Sequence, residues 1–537
     1  MRLLDFYPSQ GSYAPGERIT FLIEFESFAR QGIIFRILIL HLNEQLTLIE
    51  KTVQAMPGQQ TVQINWDPPA RPAGYSARLD ASPATSTEEP ETLYATTACD
   101  VLSRWTVFPR YGFLTDFSSS RADPETVLKK LTRFHINGLQ FYDWQYRHDR
   151  LLAPTQEYID PLGREMSLAS VRGLVEAAHR YGMAAMPYLA IYAASADFWR
   201  THPDWALYDE AGQPIAFGEN FLGLMDPSAG GAWSRHLLDE AARALQGIPF
   251  DGLHIDQYGD PKRAWDSRRR PVDLPQAFVD FIRTASDEHP DKTILFNAVG
   301  NWPVEALAES AVDFMYIEVW APDVEYRRLA EIVLNAVRLS HGKPVVIALY
   351  LPADRPANNL LADAVILACG GTRIELGEEA RLLSDPYFPR HEEITSSLSS
   401  ELRRLSDFIV RDGEWFRPYT LSETERNAWA EGEVDPGSIS TDSSIMIVAR
   451  RHANSLILHL VNFNGLTLRR RWNEAHEPPT PCQNVPLRIR SPRRPAQVLW
   501  DCPENACPQA LELEYSADVL TFAIPHINFI GLVLLHD

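Results

Sequence analysis

The chain has 537 residues, room for about two to four domains at roughly 150 residues each, and 45% of them are apolar. Its 50 Lys and Arg against 71 Asp and Glu leave a formal charge of −21, which disfavours a nucleic-acid partner or an anionic membrane surface and leaves neutral ligands open. No run reaches the roughly 18 apolar residues of a membrane span. Asp5, Pro8 and Ser9 interrupt the start before an apolar signal core forms, so the expected location is the cytoplasm if the chain is full length and outside the cell if a signal was trimmed. Cys99, Cys369, Cys482, Cys502 and Cys507 are few for the length and point to a reducing compartment. Cys502 and Cys507 read as either a disulfide or two free thiols.

The first hundred residues alternate with a period near two, as in ITFLIEFES (19–27), IIFRILILHL (33–42) and TVQINW (61–66). With punctuation at Pro15-Gly16, Pro57-Gly58 and Pro68-Pro69, they predict a small antiparallel, immunoglobulin-like β-sandwich over 1–105. The polar stretch 82–91 reads as a loop. From Arg110 apolar runs alternate with helical stretches. The runs lie at 112–118, 136–144, 183–192, 250–259, 293–301, 313–320, 344–351 and 372–378, with helices such as 169–182, 233–247 and 326–340 between them. Eight such units predict a central (β/α)8 TIM barrel over 106–412, closed by a charged helical segment at 391–411. Strand-like runs at 443–451, 455–463 and 519–527 predict a C-terminal antiparallel β-sandwich over 413–537.

In such a barrel catalytic groups gather at the carboxyl ends of the strands. The fourth strand ends in His254-Ile255-Asp256-Gln257, and side-chain alternation puts Gly252, His254 and Asp256 on the inner face. On the sixth, Phe314, Tyr316, Glu318 and Trp320 share a face, so Glu318 is expected level with Asp256. Two carboxyls about 5–5.5 Å apart serve a retaining glycosidase, one attacking the sugar carbon and the other protonating the leaving oxygen. Gln257, Tyr258 and Gly259 would keep Asp256 solvated and ionised, whereas Tyr316, Val319 and Trp320 would raise the pKa of Glu318. Asp256 is therefore read as nucleophile and Glu318 as acid/base. The competing reading is a structural ion pair on the barrel rim. His254, one layer lower, reads as part of a polar core layer.

Aromatic residues at strand ends offer faces for sugar rings: Tyr142, Trp144, Tyr146, Tyr192, Trp302, Trp320 and Tyr350. Asp116, Gln140, Asp143, His148 and Asn297 are candidate partners for hydroxyls, and Gln257 joins the substrate contacts. No HExxH, P-loop or GxGxxG motif occurs in context, and His254 with Asp256 lacks a third ligand at sensible spacing. The arginines between Arg469 and Arg494 read as a solvated sheet surface.

The segments YGFLTDF (111–117), GLQFYDWQYRHDRLL (138–152), FDGLHIDQYGD (250–260), MYIEVW (315–320) and IELGE with a later YFP (374–378, 387–389) resemble glycoside hydrolase family 66, the endo-dextranases and cycloisomaltooligosaccharide glucanotransferases. The resemblance runs over nearly the whole chain. It implies retaining attack on α-1,6-linked glucan or isomaltooligosaccharides through a glycosyl-aspartate, with nucleophile and acid/base matching Asp256 and Glu318, and no metal or organic cofactor. Glu375, inside IELGE, joins the candidate sugar contacts. Between the seventh strand and its helix only Pro352 to Ala357 separate Leu351 from Asn358, leaving no room for the carbohydrate-binding insertion of the glucanotransferases. That favours hydrolysis of internal bonds. Glu379-Ala380-Arg381 departs from the family's histidine-containing turn. The alternatives are a transglycosylase using the same pair and a non-catalytic glucan-binding protein.

Overall fold

The computed structural model describes residues 1–84, 92–121, 123–417, 428–430, 432–434, 444–452, 455–491 and 493–536. At its centre is a curled ten-stranded sheet. Its main strands are β1 (Tyr111–Leu114), β2 (Gly138–Phe141), β3 (Ala184–Ala190), β4 (Gly252–Asp256), β5 (Thr293–Val299), β6 (Met315–Glu318), β7 (Val345–Ala348) and β8 (Gly371–Ile374). Each pairs in parallel with the next in chain order. Past Glu375 the chain pairs again, Gly377 against Phe113 of β1. These strands occupy the eight apolar runs of the sequence. They are continuous in hydrophobicity rather than alternating because both faces are covered. Tyr111, Phe113, Met186, Leu295, Phe314, Tyr316 and Val346 fill the inside of the curl. Leu139, Phe141, Leu253, Ile255, Ile317 and Ile347 face the helices.

Those helices include Leu168–Arg180, Ala232–Gly247, Leu274–Glu288, Tyr326–Leu339 and Pro356–Ala368. Their starts follow from local chemistry. Asp273 accepts from the backbone N–H of Gln276 at 3.2 Å, with Pro275 in the first turn where no amide is needed. Helix Pro356–Ala368 is buried nearly all round because a further sheet covers its outer side, and its Asn358, Asn359 and Asp363 are buried with the apolar residues. Asn358 ties it there, donating to the carbonyls of Trp472 and Glu474 at 2.8 Å each.

The N-terminal segment forms a three-stranded sheet (Arg2–Pro8, Ile19–Ser27, Gly58–Trp66) and a four-stranded one (Gln31–His41, Glu44–Ala55, Ala73–Pro83, Leu93–Val101). They share a core of Phe21, Phe25, Phe35, Ile37, Tyr75 and Leu79. The predicted loop over 82–91 begins later than expected, since the strand runs on to Pro83, and 85–91 lie outside the described residues. Buried Arg110 ties this segment to the curled sheet. It donates to both oxygens of Asp100 at 2.8 and 3.0 Å, to Gly11 O at 2.9 Å and to His135 O at 2.6 Å. Asp407, on helix Ser396–Arg411, accepts from Thr97 Oγ1 at 3.1 Å and Ala98 N at 3.0 Å, and bonds His135 at 2.8 Å.

The C-terminal segment has a five-stranded sheet containing Ile445–His452, Ser455–Asn462, Gln497–Asp501 and Ile530–His536, and a three-stranded one containing Cys482–Arg490 and Val519–Ile527. Strand Ser455–Asn462 is buried on both faces. Leu456, Leu458 and Leu460 face the second sheet, and Ile457 and Val461 face the helices.

Candidate active site

Asp256 ends β4 and Glu318 ends β6, and a single side chain between them touches both. The Nδ2 of Asn297 on β5 donates to Asp256 Oδ1 and to Glu318 Oε2, each at 2.8 Å. Those two oxygens are therefore at most twice that distance apart. Asn297 pairs with Tyr316 and Val299 with Glu318, so along the ladder Glu318 stands two residues beyond the partner of Asn297. In a curled sheet of tilted strands that stagger over two strands keeps the inward side chains of alternate strands in one layer, and one layer lower His254 meets Tyr316 at 4.8 Å. Asp256 and Glu318 therefore stand level on the inner face, and Asn297 between them bonds both, a positioning group rather than the expected sugar contact.

Glu318 is buried and also accepts from the Tyr350 hydroxyl at 2.7 Å and from the Trp320 side chain. Asp256 is half-buried and bonds Tyr188. Burial, reinforced by the charge of Glu318, pushes the Asp256 carboxyl up to about 7, against the hydrogen bonds from Asn297 and Tyr188. Burial raises Glu318 too, against the donors Asn297, Tyr350 and Trp320. The expected contrast of a solvated aspartate and a desolvated glutamate is not what the site holds: both carboxyls resist ionisation. Gln257 does not solvate Asp256 through its side chain. Its amide turns away to donate to Asn297 O and Trp302 O at 3.3 and 3.2 Å, while its Oε1 accepts from Gly259 N at 2.6 Å. Below the pair, His254 bonds the Tyr111 hydroxyl at 3.1 Å, and burial pushes its pKa down to about 3. It fills a polar core layer.

Aromatic rings surround the carboxyls. Trp320 is 41% exposed and lies 5.6 Å from Tyr350. Half-buried Tyr142 stacks on Phe388 at 4.4 Å and meets Tyr188 at 5.7 Å. Tyr258 stacks on Phe217 at 4.5 Å, and its backbone N–H donates to the buried Tyr192 hydroxyl at 2.7 Å. Tyr192 thus holds the Tyr258 turn in place. Asp143, at a positive φ of 51° after β2, has its carboxyl pushed up to about 6 by burial, against the nearby Arg164 guanidinium. His148 is buried edge-on to Tyr188 at 6.4 Å, and desolvation lowers its pKa to about 4.

Two expected sugar contacts, Trp144 and Glu375, lie elsewhere. Trp144 is fully buried, its indole donating to Tyr188 O at 3.2 Å and its ring against Phe250, so it packs the core behind the site. Glu375 points away from the cleft. Ile374 faces inward, and Glu375 is paired with Arg373, whose guanidinium also bonds Asp363 at 2.6 Å. Asp116 is exposed and accepts from Ser118 N at 2.9 Å. Tyr188 and Phe388 were missed. Alternation along β3 would have found Tyr188, which shares its face with Met186 of the inner core. Phe388 comes from a turn with no periodic signal. Among the described residues, the one cluster of three groups spaced for a cation lies far along the chain, at Cys502, Glu504 and His526.

The sequence pattern of Glycosyl hydrolase family 66 matches residues 9–534. A cycloisomaltooligosaccharide glucanotransferase of Niallia circulans is 28% identical over 376 residues, covering 64% of this chain and 38% of its own length. A dextranase of Streptococcus salivarius is 22% identical over 477 residues, 73% of this chain and 57% of its own. The chain thus spans 38% to 57% of the length of these relatives. Among solved structures, the cycloisomaltooligosaccharide glucanotransferase of a Paenibacillus species, complexed with cycloisomaltoheptaose, superposes with a TM-score of 0.86 at 20% identity over 99% of both chains, a likeness of fold. The chain belongs to glycosyl hydrolase family 66.

Proposed function

We propose that the chain is a retaining glycoside hydrolase that cleaves internal α-1,6-glucosidic bonds of dextran or isomaltooligosaccharides. The observation that carries the reading is the Asn297 amide shared by Asp256 and Glu318. It keeps two carboxyl oxygens within a span that suits direct attack and is short of the roughly 6.5–9.5 Å that an inverting pair needs for an interposed water. The architecture we read is a (β/α)8 barrel over 106–412 between an immunoglobulin-like β-sandwich over 1–105 and a second β-sandwich over 413–537.

Asp256 attacks the anomeric carbon as the glycosidic bond breaks, and Glu318 passes its proton to the departing oxygen. A glycosyl-Asp256 ester results. Glu318, now ionised, takes a proton from water, whose oxygen attacks the same carbon and frees Asp256. Because each negative charge raises the other's pKa, the pair holds one proton where the two titrate, and ionised Asp256 requires it on Glu318. The rings of Tyr142, Tyr258, Trp320 and Tyr350 offer faces to the CH surfaces of the sugars.

Transglycosylation, with a sugar hydroxyl in place of water, uses the same residues, and the Niallia relatives carry that activity in their names. The short link between β7 and helix Pro356–Ala368 favours hydrolysis. Chromatography of products over time, from dextran and separately from a linear isomaltooligosaccharide, separates the two. Linear products of intermediate length are expected. Rings or elongated chains would move the activity to transfer, and unchanged substrates with the fold intact would defeat the reading.

A further inference from the structure

We propose that Cys502, Glu504 and His526 form a zinc-binding site that clamps the two C-terminal sheets together. Their ligand atoms all lie within 4.8 Å of one another. Cys502 follows strand Gln497–Asp501 of the five-stranded sheet, and His526 belongs to Val519–Ile527 of the three-stranded one. A cation held by both joins the sheets directly. The Cys502 Sγ to His526 Nε2 distance is 3.4 Å. Zinc with bonds near 2.3 Å to sulfur and 2.0–2.1 Å to nitrogen, at a tetrahedral angle, places those atoms about 3.5 Å apart. The pair is thus already spaced as one edge of the tetrahedron.

The carboxylate supplies the third corner. Glu504 is two residues beyond Cys502 on an exposed turn closed by Asn505 N to Cys502 O at 3.0 Å. Asn528 Nδ2 donates to Glu504 Oε1 at 2.6 Å and so aims the group from behind, as supporting shells of metal sites do. Cys502 is buried in the core between the sheets, His526 is half-buried and Glu504 exposed. The open side leaves the fourth position to water. One thiolate, one imidazole and one carboxylate suit zinc rather than calcium or magnesium, which take oxygen ligands. On binding, the thiol gives its proton to solvent. Cys507 is a separate free thiol and has no part in the site.

The test uses the full chain, reduced, stripped with a chelator, and titrated with cobalt(II) and then zinc(II). A thiolate-to-cobalt charge-transfer band saturating at one equivalent, bleached by zinc, together with a higher melting midpoint with zinc, is the expected result. Cys502→Ser should abolish the band, and Cys507→Ser should leave it unchanged. His526→Gln and Glu504→Gln should each weaken binding by about 10-fold or more, and Asn528→Ala by about 10-fold. If Cys502→Ser does not fold, the two surface-facing variants decide. No band in the parent, a band that follows Cys507, or affinity unchanged in His526→Gln and Glu504→Gln would each overturn the site and leave a thiol–imidazole hydrogen bond.

Discussion

Asn297 sets the distance between Asp256 and Glu318 with one amide, and the role proposed for each carboxyl can be separated from that of the other by choice of leaving group. Asp256→Ala should lower kcat by about 10⁴ or more on any substrate, since the proposed covalent intermediate then has no carboxylate to form on. Glu318→Gln should lower it by about 10²–10⁴ on glucan, and by far less on an aryl glucoside whose phenolate departs without a proton. Steady-state rates on both substrates check this. If the aryl substrate instead rescued the Asp256 variant, the two roles would be exchanged. Asp256 also bears on stability. Its folded pKa of about 7 lies above the ordinary 3.8, so the folded state holds the proton more tightly than the unfolded chain does. That contribution is whole below about pH 4 and is lost as pH rises through 7. Asp256→Asn should therefore raise unfolding free energy by on the order of 1–3 kcal/mol at pH 8, reduced by the side chain's partial exposure, and change it little at pH 4. Denaturant titrations at the two pH values measure it.

At the level of elements, the parallel strands were legible because a strand covered on both faces reads as a short apolar run between helical periods. The alternation that put Asp256 and Glu318 inside also applied to Glu375, where Ile374 takes the inner face and sends the glutamate out. The bridging of Asp256 and Glu318 by Asn297 was not legible, because register belongs to the pairing of strands and leaves no mark on any one of them. Trp144 was misplaced because an aromatic past a strand end can turn back into the core, and its indole found a backbone carbonyl there. Strand Glu44–Ala55 escaped notice since it is largely exposed and carries mixed polarity. Close strand contact makes a further demand at Gly252, where a Cβ would lie 1.9 Å from Thr293 O and 2.6 Å from Met186 Cε. Gly252→Ala should part β4 from β5 and cost about 1–3 kcal/mol, seen as a lower midpoint in denaturant.

At the scale of the whole molecule, the segments meet through buried charge as well as apolar surface. Arg110 joins the N-terminal sheets to β1 and β2, and Arg411 reaches the C-terminal sheets by bonding Asp501 at 2.7 Å and Cys502 O at 2.8 Å. A buried pair adds less to stability than its removal by halves takes away. Arg110→Met strands the Asp100 carboxylate and should cost about 3–5 kcal/mol. Adding Asp100→Asn should recover part of that loss in calorimetry. Such joints were invisible in the sequence because Asp100, Arg110 and His135 carry no periodic signature.

The partners of the Arg110 side chain all lie between Gly11 and His135, whereas Asp407, which bonds His135, Thr97 and Ala98, follows His135 by 272 residues. On the ribosome, the first knot is available to the nascent chain as soon as the opening quarter has emerged. The second waits until all ten strands of the curled sheet have been made. Synthesis itself thus orders when the two sets of contacts become available: those of the Arg110 side chain early, and the Asp407 carboxylate late.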